Sequence, residues 1–318
     1  MNYQLLANLE NWLGQQIVGQ QDLIHKLMLA LLADGHLLVE GAPGLAKTRA
    51  IKEMAEGIEG SFHRIQFTPD LLPGDITGTD IFRPQTGAFE FQQGPIFNNL
   101  VLADEINRAP AKVQSALLEA MAERQVSIGS QTYELPPLFL VMATQNPIEQ
   151  EGTYPLPEAQ LDRFLMHVRV SYPDAGAEQA ILRLARNEAG GSRSRPEGTV
   201  SQADIFSARK AVLDIHMAPA VEEYIIQLIV GTREPDHYDS ELAGWLEYGA
   251  SPRATIALDR CARANAWIAG RDYVSPDDVQ AVALDCLRHR LIVSCEAEAA
   301  GVSRDQSIQR VIERIPDA

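Results

Sequence analysis

The chain has 318 residues, 46% hydrophobic and 22% charged, and its 43 Asp and Glu against 27 Lys and Arg give a formal net charge of −16. That length buries a sizeable core and accommodates two domains, while the acidic balance argues against nucleic acid as a main partner, because phosphate-backbone binding leaves a basic footprint. The amino terminus lacks a basic flank before an apolar core, no apolar run reaches the roughly 20 residues that span a bilayer, and Cys261, Cys286 and Cys295 form neither a CxxC pair nor a zinc spacing. These features predict a cytoplasmic protein with buried thiols.

The first strand candidate, residues 36–40, runs directly into Gly41-Ala42-Pro43-Gly44-Leu45-Ala46-Lys47-Thr48. A strand that stops abruptly, a small-residue loop with inward N–H groups and a helix N-terminus together make a cradle for phosphate. Lys47 supplies a point charge and Thr48 a hydroxyl ligand for Mg²⁺, with Arg49 next in the same nucleotide-binding stretch. The P-loop pattern asks for Gly where this chain has Ala46, and Ala fits there if its φ is negative, as at a helix start. Taken alone, the segment is also compatible with a chance small-residue loop.

Further strand candidates lie at 62–67, 99–103, 138–143 and 165–170, short, apolar and separated by helical patterns, which predicts an α/β fold with a largely parallel sheet. Between the second and third, residues 68–95 carry Pro69, Pro73, Gly74, Gly78, Pro84, Gly87, Gly94 and Pro95, with 79–83 and 88–92 as strands of a hairpin. The third strand ends in Asp104 and Glu105, whose opposed directions allow different tasks. Asp104 would hold the Mg²⁺ shell and Glu105 would orient and polarise an attacking water; the competing reading is a helix cap ahead of Ala109-Pro110. In 111–124, Val113, Leu117, Ala120 and Met121 fall on one helical stripe that reads as core packing. Residues 125–134 read as a second hairpin, folded at Gly129-Ser130. Long connections of this kind tend to be functional, with passive decoration as the alternative.

After Tyr172-Pro173 the pattern turns helical at 175–186, passes a Gly/Ser/Arg/Pro linker at 190–198, and continues as helices at 204–213, 219–230, 252–269 and 275–290, the first and last with Asp or Ser caps near their starts. This predicts a second, all-α domain without a solenoid repeat.

The ordered segments GAPGLAKT, LVLADEINR, VMATQNPIEQEGTYPLPEAQLDRF and, in the helical half, GASPRA resemble the MoxR family of AAA+ ATPases over most of the first domain, including the use of Ala46 before the Lys. The resemblance implies a P-loop nucleoside triphosphatase core over 1–172, with a five-stranded mostly parallel sheet, helices on both faces and hairpin inserts at 68–95 and 125–134, followed by an all-helical lid over 173–318. It further implies a ring, usually of six subunits, with ATP and Mg²⁺ at each interface. Carried over by motif, Asn146 resembles the sensor that positions water beside Glu105, Arg163 the arginine finger inserted into a neighbour's site, Arg253 the lid sensor on the γ-phosphate, and Ile17-Val18-Gly19-Gln20 the segment packed on adenine. Plainer readings stand beside these: a turn before Pro147, an ion pair of Arg163 with Asp162 or Glu158, a surface Arg at a helix start, and hydrophobic packing that needs no ligand. The inserts resemble the helix-2 insert and pre-sensor hairpin of the clade, directed at the ring's pore or face. The function implied is a Mg²⁺-dependent ATPase that remodels or matures a partner, such as a protein with a von Willebrand factor A domain or a metalloenzyme under assembly. A nucleic-acid motor of the same clade and a nucleotide-gated subunit of a chelatase-like assembly are the alternatives.

Overall fold

The computed structural model describes residues 2–317 except 86, 130, 148–151 and 192–193. The strands are β1 (Leu37–Glu40), β2 (Phe62–Gln66), β3 (Gly78–Arg83), β4 (Ala88–Gln93), β5 (Leu100–Asp104), β6 (Gln125–Ile128), β7 (Gln131–Glu134), β8 (Leu140–Gln145), β9 (Met166–Arg169), β10 (Leu246–Tyr248) and β11 (Ile292–Val293). Five of them form one sheet in the order β2-β5-β8-β1-β9, and every pairing in it is parallel.

The apolar runs of β1, β5 and β8 are buried on both sides, as parallel strands covered by helices must be. Alternation along each strand sorts their side chains between two cores. Leu37, Val39, Leu100, Leu102, Leu140 and Met142 face one, with the helices Asn2–Gln16, Gln21–Leu32 and Lys47–Gly57. Leu38, Val101, Ala103, Val141 and Ala143 face the other, against the helix Ala111–Glu123 with its stripe of Val113, Leu117, Ala120 and Met121. Because β1 pairs with β8 and β9 and not with β2, the helix Lys47–Gly57 carries the chain to the far edge of the sheet. The C-terminal ends of β1, β5 and β8 therefore open side by side, where ligands of open α/β sheets are bound.

Both expected hairpins are present: β3–β4 pairs Gly78 with Gln93 through Arg83 with Ala88, and β6–β7 pairs Gln125 with Glu134 through Ile128 with Gln131. Gly129 takes φ +59° at the second turn, and its partner Ser130, like Thr86 in the first, lies outside the described residues. The same holds for residues 148–151 of the sequence motif and 192–193 of the linker.

From Ala175 onwards the chain is mainly helical, with helices Ala175–Ala189, Gln202–Leu213, Pro219–Arg233, Pro252–Ile268, Pro276–Leu287 and Arg304–Arg314. Ser201, not Asp204, caps the second of these, accepting the Asp204 N–H at 3.1 Å, and Ser275 caps the fifth in a capping box with Asp278. The structure adds the short antiparallel pair β10–β11, too brief for a period-2 pattern to announce. One expectation needs correcting: Cys261 and Cys286 are buried, but Cys295 is exposed, because it opens the short helix Cys295–Ala299 on the solvent side. Helix residues of this half, among them Ile205, Leu228, Leu258, Val282 and Ile308, belong to the same buried cluster as Leu6, Leu13, Leu27 and Leu31 of the amino-terminal helices. Among the described residues no helix is long and apolar enough to cross a membrane.

Candidate nucleotide site

The loop after β1 turns through Gly44 at φ +83° and Ala46 at φ +57°, then enters the helix at Lys47. The expectation of a negative φ at Ala46 is thus overturned. The loop needs a left-handed residue just before the helix, and Ala adopts that conformation at a cost of roughly 1 kcal/mol, where Gly would adopt it freely. At Gly41 a side chain is excluded, since a Cβ there would lie 2.8 Å from the Val170 carbonyl oxygen.

Lys47 is buried, its ammonium donating to the Gly41 carbonyl and, at 3.4 Å, to that of Gln145. Burial pulls its pKa below the usual lysine value, while Asp104, Glu105 and Glu40 pull the other way. Pro43–Arg49, Asp104, Glu105, Thr144 and Asn146 line a cavity of about 350 Å³ with Lys47 among them. A second cavity of about 260 Å³ shares Pro43, Gly44, Leu45, Ala46 and Arg49 and continues to Ile17, Val18, Tyr172, Pro173, Ile181 and Leu184. Gly19 is not in its lining; at φ +79° it makes a turn packed against Pro173 and Ala177, where a Cβ would come within 2.9 Å of Ala177. A chamber with Lys47, Asp104 and Glu105 in its lining, adjoining an apolar one across a phosphate-type loop, matches the two ends of a nucleotide. Arg49 spans the two, its guanidinium forked on the Glu188 carboxylate with one bond of 3.1 Å, so it ties the loop helix to the helix Ala175–Ala189.

Glu105 also has a left-handed backbone, φ +56°, which directs its side chain away from that of Asp104. Three residues that the sequence reading passed over hold this acidic pair. Thr144 donates to Asp104 Oδ1 at 2.6 Å and accepts the Glu105 N–H at 2.9 Å. Gln66 donates to Glu105 Oε2 at 2.8 Å, and Arg64 reaches Asp104 Oδ2 through Nε at 3.0 Å and Nη2 at 2.7 Å. Their signals were a lone hydroxyl in the apolar run of β8 and two polar residues on one side of β2. The Asp104 carboxylate and the Thr48 hydroxyl are hard oxygen donors around one chamber, a set that suits Mg²⁺ once phosphate oxygens and water complete it. Asn146 follows β8 directly, is buried, and shares that chamber.

Arg163 and Arg253 are not there. Both line a separate cavity of about 380 Å³, with Arg124, Arg260 and Arg290, that has no lining residue in common with the loop chamber. Arg163 donates from Nη1 to the Leu118 carbonyl at 2.8 Å; Asp162, its expected alternative partner, is taken by Arg290 at 2.8 Å and Ser251 at 2.8 Å. Arg253 sits exposed in the first turn of its helix, behind the Ser251 cap.

Comparison with known proteins agrees with this architecture. Residues 36–166 match the family model of the ATPase family associated with various cellular activities (AAA), and residues 243–311 match that of the AAA lid domain. The chain is 45% identical over 300 residues to the chaperone MoxR1 of Mycobacterium tuberculosis, covering 94% of this chain and 78% of that protein. It is 41% identical over 315 residues to the uncharacterised protein YeaC of Bacillus subtilis, covering 98% and 94% respectively. The 2.00 Å crystal structure of a candidate ATPase from Cytophaga hutchinsonii superposes with a TM-score of 0.92 at 45% identity, over all of this chain and 96% of that one.

Proposed function

The chain belongs to the MoxR family of AAA+ ATPases, and from that premise we propose that it hydrolyses ATP with Mg²⁺ at interfaces between copies of itself and uses the resulting motion to remodel a client protein. The observation that carries the reading is the convergence of Lys47, Thr48, Asp104, Glu105, Thr144 and Asn146 on one chamber at the open ends of β1, β5 and β8. In this scheme the loop N–H groups and Lys47 bind the phosphates, and Ile17 and Val18 pack on the base. Thr48 and Asp104 would hold Mg²⁺, which would supply charge neutralisation at the phosphates. Glu105 takes the proton of the attacking water, and Asn146 aligns that water.

The cation that stabilises the transferring phosphoryl group comes from another copy. Arg163 and Arg253 share a cavity apart from their own loop, so they serve a neighbour's nucleotide, which favours a closed ring, with six copies the family's usual number. We assign residues 1–172 to the core and 173–318 to the lid, and place the protein in the cytoplasm. Clients with a von Willebrand factor A domain are the partners we favour, met by the two hairpins. Phe82 and Phe89 stand exposed as a cross-strand pair on the first hairpin, and Phe91 stacks on Tyr133 of the second at 4.0 Å, so that a load on one hairpin reaches the other.

Glu105→Gln tests the scheme, because it removes the base and keeps the shape. ATP affinity is expected to stay within a few-fold of the parent while turnover falls by on the order of 10²–10⁴. Hydrolysis at the parent rate would remove Glu105 from its role.

A further inference from the structure

The partner of Asp104 in this structure is an arginine from the neighbouring strand. β2 runs beside β5 with Gln66 opposite Asp104 and Arg64 opposite Leu102, so the Arg64 side chain crosses one register step to reach the carboxylate. It delivers two donors to a single oxygen, Nε at 3.0 Å and Nη2 at 2.7 Å to Oδ2, and Nη2 also meets Gln66 Oε1 at 2.6 Å. The other oxygen, Oδ1, is held by the neutral Thr144 hydroxyl. Asp104 is 8% exposed, whereas the Arg64 side chain is 49% exposed and can swing away into solvent. A buried carboxylate without a cation would be costly. The guanidinium thus occupies one of the two carboxylate oxygens that a divalent ion's shell could use.

We propose that Arg64 is the stand-in cation of the nucleotide chamber, a positioning residue that neutralises Asp104 before metal arrives and thereby sets how strongly Mg²⁺ favours nucleotide binding. The proposal rests on the nucleotide reading above and deepens it. Two positive groups compete for one carboxylate, so the metal must displace Arg64 or bind beside it against like-charge repulsion. In water-like dielectric a divalent ion and a guanidinium a few ångströms apart repel enough to weaken binding on the order of ten-fold.

The quantity to measure is the ratio of dissociation constants for a fluorescent, non-hydrolysable ATP analogue in EDTA and in excess Mg²⁺, for the parent, Arg64→Gln and Arg64→Lys. With Arg64→Gln the ratio is expected to shift on the order of ten-fold further in favour of the metal-bound form. Arg64→Lys, which keeps the charge and loses the fork, should fall between that and the parent. A ratio unchanged or reduced in Arg64→Gln, in protein with a parental circular dichroism spectrum, overturns the proposal, because it makes Arg64 a bystander or a helper of the metal. If the parent itself fails to bind the analogue, the nucleotide reading falls and this proposal with it.

Discussion

The loop chamber and the arginine-lined cavity use the same backbone device for opposite chemistry. Among the described residues the non-glycine positions with left-handed φ are Asp34, Ala46, Glu105 and Arg124; Ala46 and Glu105 line the first cavity, Asp34 and Arg124 the second. Such conformations cost energy and persist where the surroundings enforce them, often at functional sites. In the loop chamber the carboxylates of Asp104 and Glu105 share the lining with the buried Lys47 and with Arg49. In the other, Arg124 is held by Asp34 at 2.6 Å and Arg290 by Asp162 at 2.8 Å, while Arg163, Arg253 and Arg260 pair with no carboxylate among the described residues. The first cavity is marked by its acidic pair and the second by five arginines, and one chain keeps them apart.

The largest expected effect tests that division directly. Arg163→Ala should lower turnover by on the order of 10³–10⁵, yet mixing it with Glu105→Gln subunits should restore part of the activity, because some interfaces then combine an intact chamber with an intact arginine. Hydrolysis rates across a mixing series read this out. No recovery in rings shown to be mixed would mean that the two cavities do not serve one reaction.

A smaller effect sharpens the backbone half of the comparison. Ala46→Gly should leave the melting temperature unchanged or raise it by the equivalent of up to about 1 kcal/mol, because glycine relieves the left-handed φ. At an ordinary helix position the same change costs about as much, so a clear fall in melting temperature would mean that Ala46 is unstrained.

A pH-dependent effect lies at the arginine-lined cavity. His36 is buried, and its Nδ1 accepts the Val141 N–H at 3.0 Å, which requires a neutral ring. Burial, reinforced by Arg124, lowers its pKa to about 4 from the ordinary 6.5. The unfolded chain therefore binds the proton first, so this contribution to stability is complete above pH 6.5 and disappears as pH falls towards 4, a loss of roughly 3 kcal/mol. Urea midpoints at neutral and mildly acidic pH should show the loss, and His36→Gln should flatten part of the slope. An identical slope in the variant would assign the acid sensitivity elsewhere, the buried His289 being the next candidate, since its pKa is also lowered well below the usual value by burial.

Contiguous features were legible in the sequence. The strands around 37–40, 100–104 and 140–145, the loop, the acidic pair and both hairpins announce themselves within a few residues, through apolar runs and Gly/Pro punctuation. The helix Asn2–Gln16 also carried a signal, Leu6, Leu9 and Leu13 at helical spacing, that the reading passed over. What stayed hidden arises across strands. Arg64, Gln66 and Thr144 bear on the acidic pair because β2, β5 and β8 lie adjacent, an order no local pattern encodes. The sign of φ at Ala46 was misjudged for a related reason, since the loop's closure on Gln145 and Val170 sets it, not the residue's own preference.

The apolar seam that runs without a break from Leu6 and Leu27 into Ile205, Leu258 and Val282 constrains how the carboxy-terminal helices can move against the amino-terminal ones. Swinging the carboxy-terminal helices open like a jaw would wet that seam, at roughly 25 cal/mol for each Å² of oily surface uncovered. Gliding the helices along it, with side chains changing partners by a fraction of a turn, keeps the seam dry. On the proposed function, a stroke built on this seam is expected to be short and sideways.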